Sequence, residues 1–297
     1  MAYNYPRRQA GGAGRPQLLD FNHIYKVLAT SILETISPTR CVVCDEPGDV
    51  LCASCATHLP YIDLALACPR CGAPYGRTLC TECPMPGSEA ALLHPDEAFP
   101  FTHARSALSF EGGAKKVIRT YKDGDELRLD AVIASFVCAA IRGRQNETDA
   151  RTHCLISQVS EPLDDWSQWA DALVYVPASP EALLRRDFDH MERVAKLCAG
   201  RLGLPLVRAL ASKKGALDQR DLGRGERLAN RSGSFALAED ARTGLPGAED
   251  ARAAPFPQRL ILIDDVFTTG ATASAATRVL LDGGVQEVRV VTCCRVW

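Results

Sequence analysis

Four Cys-x-x-Cys pairs between positions 41 and 83 constrain this chain more than any other feature: Cys41/Cys44, Cys52/Cys55, Cys68/Cys71 and Cys80/Cys83. Each pair offers two thiolates to one tetrahedral ion, so the eight make two closed zinc sites. The gaps predict two sequential ribbons, the first two pairs forming one and the last two the other; a cross-braced pairing is the alternative. A lone pair also serves redox chemistry. Four in a row, with Gly72 directly after Cys71, point instead to metal. Thirteen cysteines in total, an odd number and mostly clustered, suit metal binding in a reducing compartment rather than a secreted disulfide scaffold. Closed four-thiolate sites leave no position for a substrate, so these are structural. They also leave His58, His94 and His103 no ligand role. Arg70 and Arg77 are the basic residues of this segment, a poor footprint for DNA.

The rest reads as a second module. A length of 297 residues suits two domains, and a net charge of −2 gives no global pull toward nucleic acid or membrane. Residues 1–17, rich in Gly, Pro and Arg, read as a disordered tail and not a secretory signal. Residues 18–37 place Phe21, Ile24, Leu28, Ile32 and Ile36 at helical spacing, an amphipathic helix. The ribbons then occupy 38–85, a proline-bearing linker 86–100, and a further domain 101–297. The longest apolar run, AVIASFVCAAI, is too short to span a bilayer, which places the chain in the cytoplasm.

Within 101–297 the expected order is α/β. A strand covers 102–110, and helical spacing runs over 114–141 with a break at Lys122-Asp123-Gly124. A polar, irregular stretch covers 142–168. A buried strand covers 172–176, a helix 181–202 closed by Gly203, and a short strand 204–210. A charged loop covers 212–231 and a variable excursion 238–258. The end holds a buried strand at 260–263, a helix at 271–281 and a strand at 287–292. Continuous apolar strands alternating with helices imply a parallel sheet covered on both faces.

The apolar run LILI leads at once into Asp264 and Asp265, and then into Thr268, Thr269, Gly270, Ala271 and Thr272 as a helix begins. Ligands of open α/β sheets bind at the carboxyl ends of strands. Paired acids there accept hydrogen bonds from a vicinal diol, while N–H groups at a helix start favour an anion. Together they describe a ribose phosphate site. The bland alternatives are a helix cap and a plain metal site.

LILIDDVFTTGAT resembles the phosphoribosyl diphosphate (PRPP) signature of type I phosphoribosyltransferases. The resemblance implies that Asp264 and Asp265, the candidate catalytic pair, contact the ribose hydroxyls. It implies that Thr268, Thr269, Gly270, Ala271 and Thr272 bind the 5-phosphate, with Mg²⁺ accompanying PRPP. With the ribbons before it, the chain resembles the ComF family, which joins a double zinc ribbon to this fold and is linked to DNA uptake. The segments LCASCATHLP, CPRCGAP, FEGGAKKVIRTYKDGDELRLD and ALVYVP carry that resemblance. DQRDLGRGERLAN matches a family loop with Gln219, Arg227 and Asn230.

One departure stands out. Where the family has Arg-Gly-Phe-Asn-Gln, this chain has Arg186, Asp187, Phe188, Asp189 and His190. Extra negative charge there disfavours a polyanion. Arg185 and Arg186 face either pyrophosphate or solvent. Lys213, Lys214, Arg220 and Arg227 form either a lid or a charged surface. Tyr121-Lys122 sits either at the site edge or in a structural role. Cys138, Cys154, Cys198, Cys293 and Cys294 read as inert core thiols. Two functions follow from the resemblance. One is a Mg²⁺-dependent phosphoribosyltransferase with an unidentified acceptor. The other is a non-catalytic PRPP- or nucleotide-sensing component that meets single-stranded DNA or DNA-uptake proteins.

Overall fold

The computed structural model describes residues 38–78, 80–83, 99–124, 126–143, 163–213, 234–238, 241 and 256–297. The tail, the amphipathic helix, most of the linker and the loop bearing Gln219, Arg227 and Asn230 lie outside them, as does Cys154. The core is a four-stranded, wholly parallel sheet in the order β1-β6-β5-β2. Its strands are β1 (His103–Ser109), β2 (Ala172–Tyr175), β5 (Arg259–Phe267) and β6 (Glu287–Arg295). A small antiparallel pair, β3 (Leu210–Ser212) and β4 (Phe235–Leu237), stands apart.

Period-two alternation assigns the faces. Leu260, Leu262, Val288 and Val290 face one way, against α7 (Ala271–Asp282) and the β3–β4 pair. Ile261, Ile263, Val291 and Cys293 face the other. There they meet α2 (Gly112–Asp123), α3 (Leu129–Ile141) and α6 (His190–Leu202). The expected parallel sheet covered on both faces is therefore present. Among the described residues no helix is long and apolar enough to cross a membrane.

The ribbon module, with its short helix α1 (Ala53–Thr57), does not stand free. Leu59 and Leu64 join the same core as α2 and α3. Its backbone covers the edge strand: Ile62 N–H donates to Ala107 O at 3.0 Å, and Ser109 N–H to Pro60 O at 2.8 Å. An uncovered edge would be a template for aggregation.

Four expectations need correction. The helix expected over 181–202 is two, α5 (Pro180–Arg186) and α6. Asp187 takes a left-handed φ of 61° and ends α5, and Asp189 caps the start of α6. The strand expected to stop at Ile263 continues to Phe267, so both acids belong to β5. The strand expected over 204–210 reduces to a bridge from Leu206 to Leu173, followed by β3. The irregular stretch over 142–168 contains a short helix, α4 (Trp166–Trp169), capped by Asp165.

Candidate functional site

All four sheet strands end at one edge, and the β5 end carries the acids. Alternation sends Asp265 to the face of Ile261 and Ile263, where α2 ends and α6 begins. Two side chains meet it there. The Lys122 ammonium, from the last turn of α2, forms an ion pair with Asp265 Oδ2. His190 Nε2–H, from the first turn of α6, donates to the same oxygen at 2.9 Å. Asp264 is also buried, and its Oδ1 accepts the Asp265 N–H at 2.9 Å. Burial alone raises the Asp265 carboxyl, but the Lys122 charge and the His190 hydrogen bond outweigh it and hold the group well below the usual carboxylate range. Burial works against the Lys122 ammonium, and Asp265 reverses that and raises it.

The turn that follows needs a residue without a side chain. Gly270 has φ 77°. A Cβ there would stand 2.6 Å from Phe99 Cε1 and 2.7 Å from Phe267 Cζ. The backbone N–H groups of the first turn of α7 follow directly, with Gly270 as its N-cap. Gly270→Ala is expected to cost about 1–2 kcal/mol in conformation alone, before the ring clashes, because left-handed backbone disfavours a Cβ. Thermal melts would read the loss, and unchanged melting would remove this account of the turn.

The segment from Arg186 to His190 is resolved residue by residue. Arg185 is exposed, while Arg186 is largely buried and donates from Nη2 to Asp123 Oδ1 at 3.3 Å. Arg186 Nε is buried with no partner among the described residues, and the guanidinium lies near enough to Lys122 to oppose its charge. Asp189 Oδ1 accepts from Met191 N–H and Glu192 N–H, at 2.9 and 3.2 Å. Its Oδ2 accepts Ala178 N–H at 2.8 Å, from the loop after β2. The Asp189 carboxylate therefore serves as a helix cap. Lys213 is exposed.

Sequence reasoning left Lys122 undecided and treated His190 only as a mismatch. The break after Lys122 was the available signal, because a helix ending there points its last side chains at the sheet edge. Nothing local in the sequence pairs position 190 with position 265.

The cysteines form the two sequential groups. The sulfurs of Cys41, Cys44, Cys52 and Cys55 lie within 4.8 Å of one another, as do those of Cys68, Cys71, Cys80 and Cys83, and the cross-braced alternative is excluded. Cys44 and Cys52, and Cys68 and Cys83, have sulfurs 3.7 Å apart, and Cys71 and Cys80 have theirs 3.6 Å apart. Four sulfurs about 2.3 Å from a tetrahedral centre stand about 3.8 Å from one another, so both groups fit Zn²⁺. The spacing is far from a disulfide bond of about 2.05 Å.

No family model matches the chain. The competence protein ComFC of Streptococcus pneumoniae is 26% identical to it over 251 residues, a stretch that covers 82% of this chain and 87% of that protein.

Proposed function

We propose that this chain binds PRPP at the carboxyl end of β5 and transfers its phosphoribosyl group to an acceptor. The observation that carries the reading is the sequence of features along one strand end: two buried carboxylates, then a tight turn, then a helix start. In this reading Asp264 and Asp265 accept hydrogen bonds from the ribose hydroxyls. Residues Thr268, Thr269, Gly270, Ala271 and Thr272 hold the 5-phosphate. Lys122, and Arg186 beside it, supply positive charge next to the acids, where the leaving pyrophosphate would need it. The hard oxygen donors of Asp264 and Asp265 fit Mg²⁺, which would neutralise the leaving pyrophosphate when bound with PRPP. The two four-cysteine groups hold zinc and stay structural.

Calorimetric titration with PRPP and Mg²⁺ tests the binding. Heat that disappears in Asp264→Asn is the expected result, and the absence of heat with the unaltered chain overturns the reading. Pyrophosphate release screened over nucleobases and amines then tests turnover.

One observation favours a non-catalytic reading. Asp189 already occupies the Ala178 N–H in the loop after β2, which closes that donor to an incoming anion. A PRPP-sensing component of DNA uptake, as the name of the competence relative suggests, fits that arrangement. Asp189→Asn tests whether this carboxylate opposes the anion. Asparagine caps as well as aspartate, removes one negative charge and frees Ala178 N–H. An affinity gain for PRPP of roughly tenfold is expected from the Coulomb change. No gain would place Asp189 outside the anion's reach. Salt-dependent binding of single-stranded DNA without pyrophosphate release would support the sensing role.

A further inference from the structure

We propose that Arg295 is a positioning residue that ties the second cysteine cluster to the phosphate loop, so that metal in that cluster, and not in the first, keeps residues 268–270 ordered. Arg295 is the last residue of β6, it is 1% exposed, and it heads the largest fully buried side chains of the described chain. A guanidinium does not shed its charge in a protein, so burying one demands a counter-charge. Its Nη2 donates to Cys71 Sγ at 3.6 Å, and Glu82 Oε2 stands farther off at 3.9 Å. Its Nε and Nη1 are buried with no partner among the described residues. The thiolates are therefore its nearest answer. Four thiolates around Zn²⁺ carry a net charge of −2, which would set a counter-charge beside the guanidinium. Metal loading thus adds, on the nearer side, to the counter-charge that Glu82 supplies at 3.9 Å.

The other side of Arg295 leads to the loop. Its guanidinium carbon lies 4.5 Å from the centre of the Phe267 ring. Arg295 is also the β-sheet partner of Phe267, and the next residue, Val296, donates its N–H to Phe267 O at 2.9 Å. Phe267 meets Phe99 and Phe101 edge-on, with ring centres 5.9 and 6.0 Å apart. Phe99 also packs on the second cluster. Gly270 closes the turn against the Phe99 and Phe267 rings. Thr268 and Thr269 are therefore held between Phe267, whose ring Arg295 covers, and Gly270, which closes against the Phe99 and Phe267 rings. The first cluster has a different neighbour, since Val43 O accepts from Lys116 Nζ at 3.0 Å on α2. That the loop receives a phosphate rests on the reading above; its link to the cluster does not.

Hydrogen exchange of the segment 266–272 in the full chain, together with metal release to a chromogenic chelator, tests the link. Arg295→Met is expected to speed metal loss from one of the two clusters by roughly tenfold or more, the usual size of an outer-shell effect. Exchange in 266–272 should rise to the level that the unaltered chain shows once its second cluster is stripped, while α3 keeps its protection. Arg295→Lys, which keeps the charge but not the planar fork, should fall between. Cys44→Ser, which disables the first cluster, should leave 266–272 unchanged. Release and loop exchange at the unaltered chain's level in Arg295→Met overturn the proposal, and so does an equal rise across α3. If the unaltered chain fails to bind PRPP while its loop still follows the metal, the proposed function falls and this link stands.

Discussion

Asp265→Asn is expected to destabilise the chain by about 3 kcal/mol, because removing one partner of a buried ion pair strands the other. Lys122 keeps 27% of its side chain exposed, which places the cost at the lower end of the range for such pairs. A loss of this size lowers the melting temperature by roughly 5–10 °C in a chain of this length. PRPP binding should fall below detection in the same variant. Asp265→Asn combined with Lys122→Met separates the two effects: stability should return toward that of the unaltered chain while binding stays lost. A double variant as unstable as the sum of the singles would show that the pair is not coupled. The pH dependence follows from the directions of the shifts. The Asp265 carboxyl lies below its ordinary value, so its contribution is complete above that ordinary value and is lost as pH falls through the lowered one. The Lys122 ammonium lies above its ordinary value, so its contribution is complete below that value and is lost as pH rises through the raised one. The pair is ionised throughout the neutral range. The acid limb of the stability profile should be flatter in Asp265→Asn than in the unaltered chain.

The cysteines were legible because a metal cluster is written in spacing: a pair two apart, a short gap, another pair. The parallel sheet was legible because buried strands are uniformly apolar, as in LILI and ALVY. What the sequence hid is contact between distant positions. Lys122 and Asp265 meet because the end of α2 and the end of β5 reach the same sheet edge, and no local pattern encodes that. The break between α5 and α6 was hidden for another reason. Apolar residues continue at helical spacing through RRDFDH, yet Asp187 in a left-handed conformation and the Asp189 cap stop the helix there. Aspartate tolerates that backbone and caps well, so two of the three departures from Arg-Gly-Phe-Asn-Gln, Asp187 and Asp189, are also the residues that make the turn. Arg295 was hidden because a charged residue ending a strand usually faces water. It is buried against a cysteine cluster that lies more than two hundred positions earlier in the chain.

Stripping metal from both clusters is expected to lower the melting temperature by at least roughly 10 °C, since structural zinc binding contributes on the order of 10 kcal/mol to small sites. The loss should come in two steps. Cys44 is exposed and Cys52 and Cys55 are half-buried, so the first cluster is open to a chelator. Cys68, Cys71, Cys80 and Cys83 are between 0 and 7% exposed, so the second gives up metal only when the surrounding packing opens. A competing chelator should therefore show a fast phase and a slow phase of equal amplitude. The slow phase should accelerate with denaturant well before global unfolding. The consequence goes beyond stability, because the ribbon backbone covers β1: Ala104 N–H donates to Pro69 O at 3.3 Å, beside the contacts from Ile62 and Ser109. Metal loss removes that cover and bares a strand edge, so the stripped chain should self-associate in proportion to its concentration. Light scattering after complete chelation measures this directly. A stripped chain that stays monomeric and melts at the temperature of the loaded one would show that the ribbons hold their place on the sheet without metal.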